Sequence, residues 1–323
     1  MRRWLGGGLV GLLVISAVLN VLGGPHWYSV TVLWQPPTQL VGNIIWGMRV
    51  PRMLASVMVG ALLAVSGLLL QTIAHNPIAD PSILGINAGA NLALIIGGVV
   101  GIGMSIGNTI WLSLIGSGVA FAVVLGLSLS HHGIEPLRLI LGGTVFSGFI
   151  SCLSYAVSVV TNTSEQYRNL LVGGFSSATY GQVWLLAGAL AIVLIGVITC
   201  STGFTLLALD EQTTQGLGVA TGRLWLIAAG LIILATGVSV SVGGNIGFVG
   251  LGIPQLINVL RPGSFKQNVG STMVAGAVFM TLADLIAKTV IPSVELPLAA
   301  LSAMCGGCLL FVMVLLGRQV VRE

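Results

Sequence analysis

Long apolar stretches separated by short polar ones make up almost the whole chain. A helix needs about 20 apolar residues to cross the hydrocarbon core of a membrane. Eight clear stretches fit this pattern, at roughly 4–22, 50–73, 84–103, 108–128, 138–160, 182–202, 224–242 and 298–317. Two others fit less clearly: 246–260 is interrupted by Pro254, and 270–290 carries Asp284 and Lys288. The pattern predicts an all-α polytopic membrane protein of about ten helices, with both termini on one side.

Composition agrees with a chain that lies mostly within a membrane. Of 323 residues, 55% are hydrophobic and only 6% are charged, whereas a soluble domain has about 25% charged residues. The 46 glycines suit membrane helices whose backbones approach closely. No long polar linker divides the sequence, so residues 1–323 are expected to form a single transmembrane domain, and the scattered basic residues do not indicate a nucleic-acid partner.

The first apolar stretch and the cysteines are both interpreted as membrane-embedded. Arg2 and Arg3 precede an apolar run to Leu22, which resembles a signal peptide, but no small-x-small cleavage site follows it. We therefore expect a retained first helix. The four cysteines lie in apolar segments, and without a surrounding βαβ pattern they are expected to be buried small residues rather than a redox site.

The distribution of basic residues predicts the orientation. With the N-terminus in the cytoplasm, eight basic residues lie inside: Arg2, Arg3, Arg138, Arg223, Arg261, Lys266, Arg318 and Arg322. Four lie outside: Arg49, Arg52, Arg168 and Lys288. Because short cytoplasmic loops carry the excess of Lys and Arg, the count favours both termini in the cytoplasm.

Arg49 and Arg52 are the first candidate site. They stand at the start of a long apolar run, where arginine is tolerated only at the water interface. A three-residue spacing puts both on nearly the same face of a helix, and guanidinium groups pair well with carboxylates. The pair therefore indicates contact with an acidic partner outside the membrane, with anchoring to lipid phosphate as the alternative.

Two loops are long enough to carry structure. The predicted cytoplasmic loop 203–223 mixes apolar with acidic positions, which indicates two short helices joined by a turn. Its candidate positions are Leu206, Leu207, Leu209, Asp210, Glu211, Leu217 and Gly218. The predicted extracytoplasmic loop 161–181 is polar and rich in glycine, and it is expected to hold a short interfacial helix.

The stretch 246–260 and its approach contain helix-breaking residues: Gly243, Gly244, Gly247, Gly250 and Pro254. Irregular backbone within a membrane is tolerated only where it is buried or lines a cavity. The segment therefore either borders a translocation path or packs closely through its small residues. The histidines show no spacing typical of a metal site, so no metal or cofactor is expected on this chain.

An ordered series of motifs carries a family resemblance. The series comprises Arg49-Val-Pro-Arg52, Gly60-Ala61, Ser66-Gly67, Gln71, His75-Asn76-Pro77-Ile78-Ala79-Asp80-Pro81, Gly247-Phe248-Val249-Gly250-Leu251, Ala283-Asp284 and Glu295-Leu296-Pro297. From about residue 45 onward this order resembles the FecCD-type permease subunits of iron–siderophore and vitamin B12 ABC importers. The chain departs from the usual family pattern at Gln255, Gly243-Gly244-Asn245, Lys288 and Gly306-Gly307-Cys308.

The resemblance implies a type II ABC importer permease, like that for vitamin B12, in the bacterial inner membrane. It implies a second, identical or related permease subunit, two cytoplasmic ATPases and an extracytoplasmic solute-binding protein that can be a lipoprotein. The binding protein would dock on Arg49, Arg52 and Lys288, with an (i, i+4) pair with Asp284 as the alternative for Lys288. The ATPase would contact Leu206, Leu209, Asp210, Glu211, Leu217 and Gly218. The chain has no Walker A motif, so ATP and Mg would be bound by the partner ATPase and this subunit is not an enzyme.

The cargo is less well defined than the machine. A ferric siderophore or related ferric chelate is expected, and residues 71–90 most resemble permeases of the ferric-citrate type. Haem and cobalamin permeases share the same motifs and stay open as alternatives. An ion-coupled secondary transporter is a further alternative, but such proteins place ionisable residues near the middle of the membrane, whereas here they cluster at the predicted helix ends. A scaffold without transport would not need both the outer arginines and the inner loop.

Overall fold

The computed structural model describes residues 2–130, 133–134, 136–209, 211–216, 219–291 and 294–315. Within these ranges the chain is helical apart from short connections and one small antiparallel pair, β1 (Leu129–Ser130) with β2 (Gly133–Ile134). The α-helices are α1 (Arg2–Leu22), α2 (Gln39–Gly42), α3 (Val50–Ile73), α4 (Ile86–Val99), α5 (Ile106–Ser128), α6 (Pro136–Val160), α7 (Ser164–Val172), α8 (Tyr180–Leu207), α9 (Glu211–Gly216), α10 (Thr221–Gly243), α11 (Val249–Leu260), α12 (Phe265–Thr289) and α13 (Leu298–Leu315). A 3₁₀ turn covers Val30–Leu33 and a π-helical segment covers Asn43–Arg49.

The apolar stretches predicted from the sequence correspond to helices. Among the described residues, 6 helices are long and apolar enough to cross a membrane: Gln39–Ile73, Ile106–Ser128, Leu137–Val160, Tyr180–Leu207, Thr221–Gly243 and Phe265–Thr289. Four shorter apolar helices occupy the other predicted stretches: Gly6–Leu22, Ile86–Val99, Val249–Leu260 and Leu298–Val312. The all-helical membrane fold is therefore confirmed, and six of its helices have the length of a full span. The expected short helix of the loop 161–181 is α7.

The longest helical stretch combines α2, the π-helical segment and α3. Its 35 residues extend over about 50 Å at 1.5 Å per residue, which exceeds the roughly 30 Å of the hydrocarbon core. Part of it therefore projects beyond the core. The π-helical segment ends at Arg49, next to Pro51. Because proline lacks an N–H and its ring crowds the preceding turn, a wider turn at this place suits it.

Helix α3 lies at the centre of the bundle, and every residue from Val59 to Ile73 is buried. Three pairs of glycines let helix backbones touch directly: Gly60 with Gly276 (α3 and α12), Gly67 with Gly250 (α3 and α11), and Gly89 with Gly116 (α4 and α5). A Cβ added at Gly60, Gly276, Gly67, Gly89 or Gly116 would overlap the facing backbone. Small residues thus set the closest helix contacts, as is usual where hydrophobicity does not drive association.

Several helices present apolar side chains outward, as expected for surfaces covered by lipid or by another membrane subunit. Examples are Trp111 and Ile115 on α5, and Ile195 on α8. The expectation of buried cysteines is wrong in part. Cys152 and Cys308 are exposed and the other two cysteines are intermediate, because α6 and α13 turn these positions away from the bundle core.

Helix α11 is short because the chain before it is not helical. After Gly243 the backbone takes positive φ values at Gly244 (77°) and Phe248 (67°) before α11 begins. Asn87 of α4 donates from Nδ2 to Oδ1 of Asn245 and to the carbonyl oxygen of Ile246, at 3.0 and 3.2 Å. The prediction of a short helix is confirmed, but the expected interruption at Pro254 is wrong, because the irregular backbone lies before α11. Pro254 lies inside α11.

Candidate functional site

One end of the bundle carries five charged side chains and one amide, which we call the basic cluster. Its members come from α1, the end of the π-helical segment, α3, α12 and the segment that follows α12: Asn20, Arg49, Arg52, Asp284, Lys288 and Glu295. Three basic and two acidic groups leave one net positive charge. The cluster therefore retains an excess of positive charge after its internal pairs are formed.

Arg52 lies at the centre of the basic cluster. Its Nε and Nη2 donate to the Asp284 carboxylate at 3.0 and 2.9 Å, and its Nη1 donates to Oε1 of Glu295 at 2.6 Å. Arg52 is only 8% exposed, and the Asp284 side chain is 1% exposed. Such a two-point pair supplies the hydrogen bonds that a buried guanidinium and carboxylate require. Arg52 thus ties α3 to α12 and to the segment after it.

Lys288 is also bonded within the chain. Its Nζ donates to the backbone oxygen and to Oδ1 of Asn20, the latter at 2.9 Å. The ammonium lies 3.9 Å from Oδ2 of Asp284, four residues earlier in α12. Asn20 in turn donates from Nδ2 to that same oxygen at 3.0 Å. Asn20 therefore joins α1 to both Asp284 and Lys288 of α12.

Arg49 holds the end of α1 and the turn that follows it. Its Nη1 donates to the carbonyl oxygens of Val21 and Leu22 at 3.1 and 2.8 Å, and its Nη2 donates to that of His26 at 3.0 Å. The guanidinium carbon lies 4.7 Å from the centre of the Tyr28 ring, within the range of a cation–π contact. A cation suits this position because the last carbonyls of a helix carry partial negative charge.

A cavity of about 500 Å³ opens beside the basic cluster. Arg49, Arg52, Lys288, Glu295 and His26 all contribute to its lining. The three positions predicted for partner docking are therefore brought together around one cavity. Of the three side chains in the two Arg52 ion pairs, that of Glu295 is the most exposed, at 48%.

Sequence reasoning did not assign a site role to Asp284, Glu295 or Asn20. A signal existed for Asp284, because an acidic residue inside an apolar helix needs a basic partner. Lys288 was a candidate partner by its (i, i+4) spacing and lies 3.9 Å away, but the closer partner Arg52 could not be identified, since it is 232 positions away in the chain. Asn20 carried no signal, as it is one neutral residue in an apolar run.

The opposite end of α3 lies near the segment predicted to contact an ATPase. The expectation of two short helices within 203–223 needs correction, because α8 continues without a break to Leu207 and α9 is the one short helix among the described residues there. The reason is burial: Phe204 is fully buried, with its ring 5.3 Å from that of Phe265. Continuing the helix keeps Phe204 and Leu207 in the core.

The candidate positions of this segment are distributed as follows. Leu206 and Leu209 flank the end of α8, and Leu209 is 42% exposed. Glu211 begins α9. Asp210, Leu217 and Gly218 lie outside the described residues. Thr214 of α9 donates from Oγ1 to the carbonyl oxygen of Leu206 at 3.0 Å, which fixes α9 to the last turn of α8.

The glycines near α11 are closely packed, and two of them also line a cavity. Gly247 and Gly250 face Ser82, Pro81 and the carbonyl oxygen of Leu63 at 3.2–3.3 Å from an ideal Cβ, so they serve close packing. Gly243 and Gly244 line a second cavity of about 660 Å³. They are also closely packed, since a Cβ at Gly244 would lie 2.7 Å from the carbonyl oxygen of Leu170. This cavity is also lined by amide, hydroxyl and one acidic side chain: Glu165, Gln166, Asn169, Gln182, Ser176, Ser177 and Ser241. Close packing, one of the two alternatives that the sequence left open, is thus found at these glycines, and the translocation path stays a prediction.

Comparison with known proteins extends this picture. The profile of the FecCD transport family matches residues 12–316. The iron(3+)-hydroxamate import system permease protein FhuB of Bacillus subtilis is 32% identical over 304 residues, which covers 91% of this chain and 78% of that protein. The vitamin B12 import system permease protein BtuC of Klebsiella pneumoniae is 34% identical over 312 residues, covering 94% and 91%.

A solved structure shares the fold. The inward-facing structure of a metal-chelate type ABC transporter superposes with a TM-score of 0.84 at 28% identity, and the match covers 98% of this chain and 99% of that one. The agreement therefore extends over the whole bundle, including both ends of α3. With a family profile and relatives that span nearly its full length, this chain belongs to the FecCD transport family.

Proposed function

We propose that this chain is the permease subunit of an ATP-driven importer that carries a ferric siderophore or related ferric chelate into the bacterial cytoplasm. Membership of the FecCD family makes it a multi-pass membrane transport subunit of an ABC importer rather than an enzyme. The cargo is supported by the hydroxamate-importing relative and by the resemblance of residues 71–90 to ferric-citrate-type permeases. The 34% identity to a vitamin B12 permease supports cobalamin as the second candidate.

The proposed assembly contains a second permease subunit, two cytoplasmic ATPases and an extracytoplasmic solute-binding protein. The proposed topology has ten spans and both termini in the cytoplasm. This arrangement puts the basic cluster outside and α9 inside, at opposite ends of α3. One observation carries the proposal: in a chain of this family, the two candidate contact surfaces, the basic cluster and the α9 segment, lie at opposite ends of the central helix α3.

The solute-binding protein is proposed to dock at the basic cluster through Arg49, Arg52 and Lys288. Acidic side chains of the partner would meet the net positive charge around the 500 Å³ cavity. Arg52 and Lys288 already have internal partners, so they contribute to the electrostatic potential of the cavity. Arg49 bonds only to backbone carbonyls among the contacts described, so its charge is not neutralised by a carboxylate there.

Uptake by whole cells tests the function. A strain that lacks the gene receives the wild-type permease and is offered radioiron as ferric citrate, as a ferric trihydroxamate and as other ferric siderophores, beside labelled cobalamin. Iron uptake restored by the wild type supports the proposed cargo. If only cobalamin uptake is restored, the chain is an ABC importer permease as proposed, but its cargo is cobalamin rather than a ferric chelate. If none of these compounds is taken up although the ATPases and the binding protein are co-expressed, the proposed function is contradicted.

Charge reversal tests the docking surface in the same strain. Arg49→Glu is expected to abolish uptake while the permease stays in the membrane, whereas Arg52 is left unchanged because its buried pair with Asp284 joins α3 to α12. Arg168→Glu is the matched control, because Arg168 is an exposed residue of α7 outside the basic cluster. Unchanged affinity of the Arg49→Glu permease for its binding protein would remove the docking proposal.

The inner surface needs its own variant. Leu209→Asp places a charge on an exposed leucine next to α9 and is expected to separate ATP hydrolysis from transport. Wild-type transport per ATP in this variant would show that the segment does not receive the ATPase.

A further inference from the structure

The turn at the end of α3 has an unusual residue at its centre. Helix α3 ends at Ile73, Ala74 caps it, and the N–H of Asn76 donates to the carbonyl oxygen of Gln71 at 3.2 Å. This is the hydrogen bond of a Schellman motif, whose left-handed position is normally glycine or asparagine. Here the position is His75, with φ of 48°. A side chain with a Cβ is therefore held in a backbone conformation that it rarely adopts.

The His75 side chain reaches across to the end of α8. Its Nε2 lies 2.6 Å from the carbonyl oxygen of Leu207 and 3.1 Å from that of Leu209. Carbonyl oxygens only accept hydrogen bonds, so Nε2 must carry the hydrogen and donate it. The last carbonyls of a helix have no partner within the helix, and His75 supplies one to the end of α8.

The same turn of α8 holds α9. Thr214 donates to the carbonyl oxygen of Leu206 at 3.0 Å, one residue before the carbonyl that His75 binds. A displacement of α9 therefore acts on the turn to which His75 is attached. Because packed and hydrogen-bonded elements move together as rigid bodies, His75 is a direct hydrogen-bonded connection by which that displacement can reach the end of α3.

On its other side, the His75 turn is bonded to α11. Gln255 of α11 donates from Nε2 to the carbonyl oxygen of Pro77 at 2.8 Å and to Oε1 of Gln71 at 3.0 Å. Gln71 donates in turn to the carbonyl oxygen of Gly250 at 3.2 Å. The bonded chain thus runs from α9 through the end of α8 and His75 to the irregular short helix α11.

We propose that His75 is a positioning residue that transmits the movement of the α9 segment to α3 and α11. The inference rests on the proposed function, since it assumes that an ATPase acts on α9. A strained residue persists only where its surroundings hold it in place. A turn with no further task would be better formed by glycine, whereas only a long side chain with a donor can bind the α8 carbonyls.

The left-handed turn favours glycine, whereas the hydrogen bonds to α8 need the His75 side chain, and this difference supplies the test. His75→Gly and His75→Asn suit the left-handed turn, but neither has a side chain that reaches α8. They are expected to fold and hydrolyse ATP as the wild type does, while cargo moved per ATP falls about tenfold, within the usual range for coupling between distant sites. His75→Gln keeps a donor of comparable reach and is expected to restore most of the ratio.

The experiment uses the complete complex in lipid vesicles. The binding protein is loaded with a radioiron-labelled ferric trihydroxamate or with labelled cobalamin, and cargo transported per ATP hydrolysed is measured. Hydrogen exchange gives a second readout that does not depend on the cargo. Trapping the complex with a non-hydrolysable ATP analogue should change exchange at 206–216 and at 76–85 in the wild type. In the His75→Gly complex the change should persist at 206–216 and disappear at 76–85.

The outcomes separate this inference from the function on which it rests. Wild-type transport per ATP in both His75→Gly and His75→Asn would contradict the proposed role of His75. A wild-type exchange response at 76–85 in the His75→Gly complex would contradict it as well. A lower amount of complex with an unchanged ratio would also overturn it, since that is a purely structural effect. Failure of Leu209→Asp to uncouple, with no exchange response at 206–216 in the wild type, would instead contradict the proposed role of α9.

Discussion

Arg52 and Asp284 form a two-point ion pair between α3 and α12, with two guanidinium nitrogens donating to one carboxylate at 3.0 and 2.9 Å. Asp284 also accepts from Asn20 of α1, so three helices meet at one carboxylate. Buried charges stay ionised at modest cost only when they are paired and fully hydrogen-bonded. The pair therefore fixes how these helices join at the basic end of the bundle.

Removing the Asp284 charge should destabilise the protein far more than removing the Glu295 charge. Asp284→Asn leaves Arg52 and Lys288 without their buried counter-charge, which costs about 3–5 kcal/mol. Glu295→Gln weakens a pair whose acidic side chain is 48% exposed, worth about 0–1 kcal/mol. Thermal unfolding of the purified permease in detergent measures both. Equal losses for the two variants would contradict the central role of Asp284.

The Arg49 charge should govern the salt dependence of binding-protein docking. Arg49→Ala is expected to weaken the docking affinity about tenfold, because charge-assisted contacts contribute about 1.5–3 kcal/mol. The remaining affinity should fall less steeply with ionic strength, since screening acts on the exposed charges. Titration of the binding protein onto permease in nanodiscs at several salt concentrations measures this. Arg168→Ala serves as the control, and an equal effect there would show that general surface charge is responsible.

Close backbone contact between α3 and α12 should make Gly276 intolerant of any side chain. A Cβ at Gly276 would overlap the Gly60 carbonyl and the Ala64 side chain, and overpacking costs about 1–3 kcal/mol. Gly270→Ala, in the same helix, meets nothing within 4 Å and is expected to stabilise the helix by up to about 1 kcal/mol. Thermal unfolding of the two variants compares them. A stable Gly276→Ala protein would show that the two helices can separate without loss.

The amide of Gln255 should be needed to hold α11 against the end of α3. Gln255→Met keeps the length of the side chain but leaves Oε1 of Gln71 and the Pro77 carbonyl without their donor. Each buried acceptor that loses its partner costs about 1–3 kcal/mol. The exposed Gln267 provides the control substitution, Gln267→Met. Hydrogen exchange of 249–260 should rise only in the Gln255 variant, and equal exchange in both would refute this anchoring.

Much of the architecture could be predicted because membrane helices depend on local composition. The apolar stretches predicted helices at every place where the structure has a long or apolar one, since backbone groups in hydrocarbon must bond within their own segment. The short α11 was predictable in part, since glycines before it favour a break in the helix, and Gly244 takes a positive φ there. The three-residue spacing of Arg49 and Arg52 also placed both around one cavity.

Other features were decided only by the tertiary structure. Arg52 pairs with Asp284, Lys288 with Asn20 and His75 with Leu207 across 232, 268 and 132 positions, and no local pattern encodes such distant pairs. The unbroken end of α8 depends on the burial of Phe204 against Phe265, which the loop sequence alone did not show. The sequence by itself determined which segments lie in the membrane, because that depends on the transfer of each segment from water. The structure decided what each buried polar group binds, because a buried charge or amide takes the partner that packing brings within reach.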